Sequence, residues 1–577
     1  MRLRLNAEAR AIYRAIIGEI KSRLVLRGSE AYLESFYPTS SPEEILRRQE
    51  YLKEALPRIS SGIKEELEKI RPIKFRREFL SDRVLLVDEG EIEKAEALGL
   101  CYVTTNPEEA REYPLVLSTV GYRIDVELSP ADVAPELYVL PLWEARETLE
   151  ALGRIGEITG SKSVAGELLS ALSEFEGVVK RASLLDSLDE IVLEKERALN
   201  EEISRKLESF SLTLSGRELL DFLSQLRAGN YEAIFRHFGS VEEEILNLIA
   251  RAEEELSEKF GVDVELFSRE ELYPVSVSPE RIEELRNVLE RELAVERYIK
   301  AREILERVHH LIPRLREELR KAEELDFLQA VKDFAEGFTF PEPWEGGFAF
   351  LRGRHLFIEN PQPVSYVVGR KPEDFSVPTS ENVGNERVVI LTGANSGGKT
   401  SLLELIAQVG ILFHMGFPVP AERAWLEPLE EIFLFKRKRS VYGAGAFETA
   451  LRSFVRALRK PGRKLLLIDE FEAITEPGAA VKIIGELLKV AHEEGFYVVI
   501  VSHLGEDLKR ELPFARVDGI EAKGLDENLN LIVDRQPVFG KLGRSTPELI
   551  VERLAKKSRG AERRIYERIL GAFKDSV

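Results

Sequence analysis

The stretch LTGANSGGKTSLLELIAQVGILFHMGFPVPA, Leu391 to Ala421, dictates how the C-terminal part of the chain must fold. It continues an apolar run, RVVILTG, that reads as a buried strand. Gly393-Ala394-Asn395-Ser396-Gly397-Gly398-Lys399-Thr400 then fits G-x-x-x-x-G-K-[ST], and Ser401 opens an apolar helix. Glycines let such a loop turn its N–H groups inward onto phosphate oxygens, and the following helix presents its positive end to the same anion. Lys399 reaches the outer phosphates and the Thr400 hydroxyl takes Mg²⁺. Gly393 through Ser401 is therefore read as a nucleotide-binding loop for ATP with Mg²⁺.

Two further strands bring polar residues towards the same place. KLLLIDE ends in Asp469-Glu470, 70 residues beyond Lys399. In open α/β sheets ligands bind beyond the C-terminal ends of the strands, so both carboxylates belong at that edge. Asp469 is read as the Mg²⁺ partner and Glu470 as the base that activates the attacking water. FYVVIVSH delivers His503 to the same edge, as a group that senses or polarises the outer phosphate. The catalytic set is thus Lys399, Glu470 and His503. Runs apolar on both faces suit a parallel sheet. The order points to an ABC-like ATPase without a coiled coil between loop and acidic strand, and without an LSGGQ-like loop before that strand.

The 577 residues allow about three or four domains. No apolar run reaches the ~18 residues of a membrane span, so the expectation is a cytoplasmic protein with no membrane partner. Cys101 is the only cysteine, which excludes internal disulfides. Abundant Glu, Lys and Arg with little Cys or Met points to a thermophilic source. The net charge is −20, but it is uneven: KRKR fills Lys436 to Arg439, and Lys541 to Val577 carries ten Lys/Arg against five Asp/Glu. These runs are either solvated faces or local sites for phosphates.

Before the loop the chain reads differently. Ser41-Pro42 marks a helix start. RVLLVD, CYVTT and LVLSTV alternate with helical stretches, which predicts a small α/β module. Leu184, Leu188, Ile191, Leu199, Ile203, Leu207 and Phe210 keep helical spacing, as do Val241, Ile245, Ile249, Ala252 and Leu256. From Pro279 to about Phe338 the pattern is nearly continuous helix, with a kink expected at Pro313. The fold class expected is multidomain: a long α-helical core and lever region with a small α/β module, followed by a C-terminal α/β ABC-like P-loop ATPase domain. The divisions are an N-terminal helical region (1–78), the small module (79–134), a helical core, lever and clamp-like region (135–338), the ATPase domain (339–540) and a helical dimerisation segment (541–577).

TGANSGGKTSLLELIAQVGILFHMGFPVPA resembles the loop, helix and G-x-x-VPA turn of the MutS family. LDFLQAVKDFAEG and RGRHLFIEN resemble its core-domain end and RHP segment. LLLIDEFEAITEPGAA, VIVSHL and FGKLGRSTPELIVERLAKKS are similar to the acidic strand, the His-containing switch and the C-terminal dimerisation segment of its MutS-II branch. The family's Ser/Thr-rich signature loop, which reaches the ATP of the other subunit, is replaced here by GAGAFETAL. The trans contact would thus fall to Gly443, Gly445, Ala446 and Phe447. Glu472 and Ile474 stand where the family's D-loop has glycines. The resemblance implies a homodimer that uses ATP to control binding of duplex or branched DNA, in repair or recombination. No room is found for the mismatch-reading domain or, after Ser558, for the small MutS-related nuclease domain, so the resemblance implies neither mismatch recognition nor intrinsic nuclease activity, and a separate nuclease is one candidate partner. A ribosome- or RNA-associated ATPase and a nucleotide-gated scaffold with weak turnover remain alternatives.

Overall fold

The computed structural model describes all residues except 61, 121–128, 210–214, 230, 270–271, 394–396, 437–443, 472–476, 526–530, 544–546 and 575–577. The chain divides into two compact units, Met1–Glu68 with Arg320–Val577, and Lys69–Leu319. It is multidomain and mostly helical, and a parallel sheet organises the first unit.

That sheet has six strands: β1 (Arg4–Leu5), β2 (Val388–Gly393), β3 (Glu431–Phe435), β4 (Lys464–Asp469), β5 (Tyr497–Val501) and β6 (Arg516–Ile520). All neighbours are parallel, in the order β1-β3-β4-β5-β2-β6. Every residue of β2, β4, β5 and β6 is buried, as expected of strands covered on both faces. Val388, Ile390, Leu466, Ile468, Val498 and Ile500 pack with Phe454 and Leu488, from the helices Ala444–Leu458 and Pro477–Glu493. Strand alternation turns Val389 and Leu391 to the other face, where helix Lys399–Met415 is buried along almost its whole length.

Strand β1 is the unexpected member. It is two residues long and fixed by side chains of its neighbours. Asn6 caps helix Ala7–Lys21 by accepting the Ala9 N–H, and its side chain also accepts from Leu434 N and donates to Leu434 O, at 3.1 and 2.7 Å. Glu431 binds Arg4 at 2.9 Å and the buried Lys464 at 3.0 Å, so one carboxylate ties three strands. Ser41 caps its helix with Pro42 in the first turn, as that pair predicts. A second sheet in this unit has four strands, Glu342–Pro343, Arg423–Leu426, Gly347–Gly353 and Val364–Gly369 in spatial order.

In the second unit, Arg83–Leu86 lies between Tyr102–Thr104 and Leu115–Ser118 in a three-stranded parallel sheet. Arg83 is fully buried. Its guanidinium forks onto Glu136 at 2.7 and 3.0 Å and bonds Asp82 at 2.9 Å, so the charge is matched where water is absent. The two apolar stripes meet: Leu188, Ile191, Leu199, Ile203 and Leu207 pack with Ile245, Ile249, Ala252 and Leu256. The long helix from Pro279 ends at Val308, is interrupted at His309–Leu311 and resumes at Ile312. Pro313 thus stands in the first turn of a new helix, where its missing N–H costs nothing, rather than at a kink.

His414, near the end of helix Lys399–Met415, is fully buried. Its Nδ1 donates to Gly410 O at 2.7 Å and its Nε2 accepts from Leu429 N at 2.8 Å, which fixes a neutral ring. Burial pushes its pKa from 6.5 down to about 4. The unfolded chain therefore binds the proton first. The contribution of the neutral ring is full above pH 6.5 and is lost as the pH falls towards 4, a loss of about 3 kcal/mol. Denaturant unfolding of the full chain is expected to show that decline, and His414→Gln to make it shallower.

Candidate functional site

The C-terminal ends of three adjacent strands stand level. Leu391 of β2 pairs with Val501 of β5, and Val501 pairs with Asp469 of β4. Ser502 N donates to Leu391 O at 3.2 Å, and Glu470 N to Val501 O at 3.1 Å. Gly393, Asp469, Glu470 and His503 therefore emerge together at one edge of the sheet.

Gly393 ends β2 with φ +122°, and a Cβ there would meet the Ile520 carbonyl oxygen at 2.2 Å. Only glycine fits. Gly398 caps the following helix with φ +88°. Lys399 is buried, and its Nζ folds back to donate to Gly393 O at 2.7 Å. Gly397 is buried, Gly398 and Ser401 half-buried and Thr400 exposed.

The Thr400 hydroxyl donates to Asp469 Oδ2 at 2.8 Å. Asp469 Oδ1 is buried and has no hydrogen-bond partner among the described residues. Burial raises the Asp469 pKa and the Glu470 charge adds to this, while the Thr400 hydrogen bond and the charges of Lys399 and Lys436 oppose it. A buried carboxylate oxygen left without a donor is costly. Beside a hydroxyl it is a fitting donor pair for a hard cation such as Mg²⁺, which takes one or two protein oxygens and completes its shell with phosphate and water. Among the described residues there is no cluster of three or more His, Cys, Asp or Glu that would hold a metal without such help.

Glu470 has φ +48°, a strained conformation for a residue with a side chain. Its Oε1 lies 3.1 Å from His503 Nε2. The pair is partly open to solvent, with 23% and 42% of the side chains exposed. A water beside Glu470 would meet a carboxylate whose orientation is fixed by backbone and imidazole together.

Sequence reading misses several neighbours of this edge. The stem of Arg535 runs over Gly398, its Cδ 3.6 Å from where a Cβ would stand. No motif marks that arginine. Glu404, one turn beyond Thr400, binds Lys436 and lies 3.0 Å from His355 Nε2, and these two hold its pKa down to about 2, His355 foremost. Lys436, the first residue of KRKR, is thus engaged within the chain. Ala394, Asn395, Ser396, Arg437–Arg439, Gly443, Glu472 and Ile474 lie outside the described residues. Gly445, Ala446 and Phe447 stand in the first turn of helix Ala444–Leu458, with their side chains outside the description.

Gly543, at the end of the described GKLG segment, touches the start of the loop. Gly543 N donates to the Thr392 hydroxyl at 2.7 Å, and that hydroxyl donates to Asp518 O at 3.1 Å. A Cβ on Gly543 would stand 2.9 Å from the Cα atoms of both Gly393 and Gly519, against backbone that has no room to yield. Gly543→Ala is expected to cost about 1–3 kcal/mol of stability through overpacking. It should also weaken nucleotide binding, because the strain falls on Gly393. Urea unfolding and nucleotide titration of the variant check both effects.

No protein-family model matches this chain. It is 56% identical to the DNA-binding protein MutS2 of Pyrococcus furiosus over 572 residues, 99% of this chain and all of that one. It is 26% identical to the DNA mismatch repair protein MutS of Geobacillus thermodenitrificans over 331 residues, 56% of this chain but 34% of that protein. It is 27% identical to the Endonuclease MutS2 of Gemmatimonas aurantiaca over 177 residues, 29% of this chain and 20% of that one. With more than half its residues shared along nearly the whole of both chains with the Pyrococcus protein, this chain belongs to the MutS2 family.

Proposed function

We propose that this protein is an ATP-dependent DNA-binding protein that hydrolyses ATP as a homodimer to control its hold on DNA, with branched or recombination structures preferred to mismatches. The observation that carries the reading is the buried, unpartnered Asp469 Oδ1 beside the Thr400 hydroxyl, at the edge where Lys399 and the Glu470–His503 pair converge. The DNA-binding name of the relative matched over its full length supports the choice of ligand.

In this reading residues 393–401 cradle the phosphates and Lys399 turns from Gly393 O towards the outer two. Asp469 and Thr400 hold Mg²⁺, which neutralises phosphate charge when bound. Glu470 orients and deprotonates the attacking water. His503, with the proton on Nε2, donates to Glu470 and holds it in place. Phosphoryl transfer of this kind is catalysed mainly by positioning and charge stabilisation. Residues 339–540 form the ATPase domain, and 541–577 face the second subunit together with Gly443 and with Gly445, Ala446 and Phe447 at the start of helix Ala444–Leu458. The helical region 135–338 carries the nucleotide-driven change to DNA.

Lys399→Ala is expected to abolish nucleotide binding. Glu470→Gln should leave binding intact and lower turnover about 10²–10⁴-fold, measured by phosphate release against titration of a fluorescent nucleotide. Wild-type turnover in Glu470→Gln would remove the base assignment. Affinity for a four-way junction should exceed that for a plain duplex, and both should fall linearly with salt on logarithmic axes. Equal affinities would remove the preference for branched DNA.

A further inference from the structure

The small parallel sheet of the second unit carries an exposed surface that its own fold leaves unused. Cys101 and Val103 turn inward with Leu85, Val87, Ala95 and Leu100. Alternation sends Tyr102, between them on an edge strand, to the opposite side. There Tyr102 is 45% exposed and Phe79 52% exposed. Phe79 meets Tyr102 edge-on, ring centroids 4.9 Å apart, and Tyr113 lies 5.1 Å beyond Tyr102. Three aromatic rings thus stand in a row outside the hydrophobic core, and exposed aromatic clusters of this kind mark binding surfaces.

The chain leading into the row is basic. Residues 72–80, PIKFRREFL, form neither helix nor strand, and Leu80 N pins their end to Leu100 O at 2.7 Å. Lys74, Arg76 and Arg77 are exposed and make no hydrogen bond or ion pair among the described residues. Of the acids nearby, Glu108 pairs with Arg111 at 3.0 Å, and Glu109 accepts only the neutral Thr104 hydroxyl at 2.6 Å, which leaves Glu78, Glu109 and Glu112 without a cation partner among the described residues. The segment therefore offers three unpaired cations at one end of a row of rings, with Phe79 and Tyr102 exposed and Tyr113 half-buried.

We propose that Lys74, Arg76, Arg77, Phe79, Tyr102 and Tyr113 form a second DNA contact, specific for unpaired nucleotides. Cations alone serve a duplex, whose base faces are stacked inward. Exposed rings are useful only to bases whose faces are free, and they stack on any base regardless of sequence. Unpaired nucleotides occur where branched DNA opens, so the surface distinguishes such structures from continuous duplex. The inference rests on the DNA-binding reading above, and the two fail separately.

The test uses the full chain, with fluorescence anisotropy of a blunt duplex and of the same duplex carrying a single-stranded oligothymidine tail. Wild type is expected to bind the tailed probe more tightly. Phe79→Ala with Tyr102→Ala should cut tailed-probe affinity about tenfold and leave blunt-duplex affinity unchanged. Arg76→Glu with Arg77→Glu should weaken tailed-probe binding and lower its salt slope by about one to two. Both substitutions are on the surface, and an unchanged melting curve and unchanged DNA-free ATPase rate confirm an intact fold. A wild type that binds duplex with no gain from the tail, or an aromatic variant that keeps the gain, overturns the inference and leaves the DNA-binding reading standing. Binding to neither probe overturns that reading as well. Loss of self-association by the aromatic variant, with the tail preference intact, makes the patch a protein interface and also overturns the inference.

Discussion

Burial of both faces of the large parallel sheet leaves its strands no place for polar chemistry except their ends. Parallel pairing sends every crossover the same way round, so the residues that follow β2, β4 and β5 all emerge at one edge. The register Leu391–Val501–Asp469 sets them level to within a residue. A one-residue slip of β4 would carry Asp469 away from Thr400 and the buried Lys464 away from Glu431. The polar residues at the two ends of KLLLID, Lys464 on Glu431 and Asp469 on Thr400, thus mark a register that the apolar run between them does not.

The edge is also where the unit stores its unfavourable features. Asp469 is buried with one oxygen unpartnered, Glu470 has a left-handed backbone, and three glycine backbones meet at Gly393, Gly519 and Gly543. Each would be cheaper to relax in isolation. Together they are held by the Thr392 hydroxyl, the Arg516–Asp518 pair at 2.9 Å and the packed strands below. Local cost retained at one place by a well-packed surround is the pattern of a functional site.

Much of this was legible in the sequence, for a physical reason. RVVILTG, KLLLIDE and FYVVIVSH are apolar on both faces, and only buried parallel strands have that property. Gly393, Gly398 and Lys399 stand at the strand-to-helix turn that their spacing predicts. Helix stripes such as Leu188 to Leu207 are legible because one face must be dry. What was not legible depends on contacts distant in sequence. Arg4–Leu5 is too short to show a period, and it is a strand only because Glu430, Glu431 and Leu434 are there to receive it. Arg535 reaches Gly398 from a loop with no motif, and the row Phe79, Tyr102, Tyr113 is assembled from three separate segments.

Strand β1 has a consequence for the order in which the chain is made. Its partner β3 begins at Glu431, so at ~5–20 residues per second the ribosome needs roughly 20 to 90 seconds after β1 to produce it. Residues 69–319 are complete about three quarters of the way through that interval and are contiguous, free to fold on their own schedule. The N-terminal strand and its helix must wait meanwhile, with Leu3, Leu5, Ile12 and Ile16 lacking the surface that finally buries them. These residues thus stay unseated until β3 has been made, because β3 is the strand that β1 pairs with.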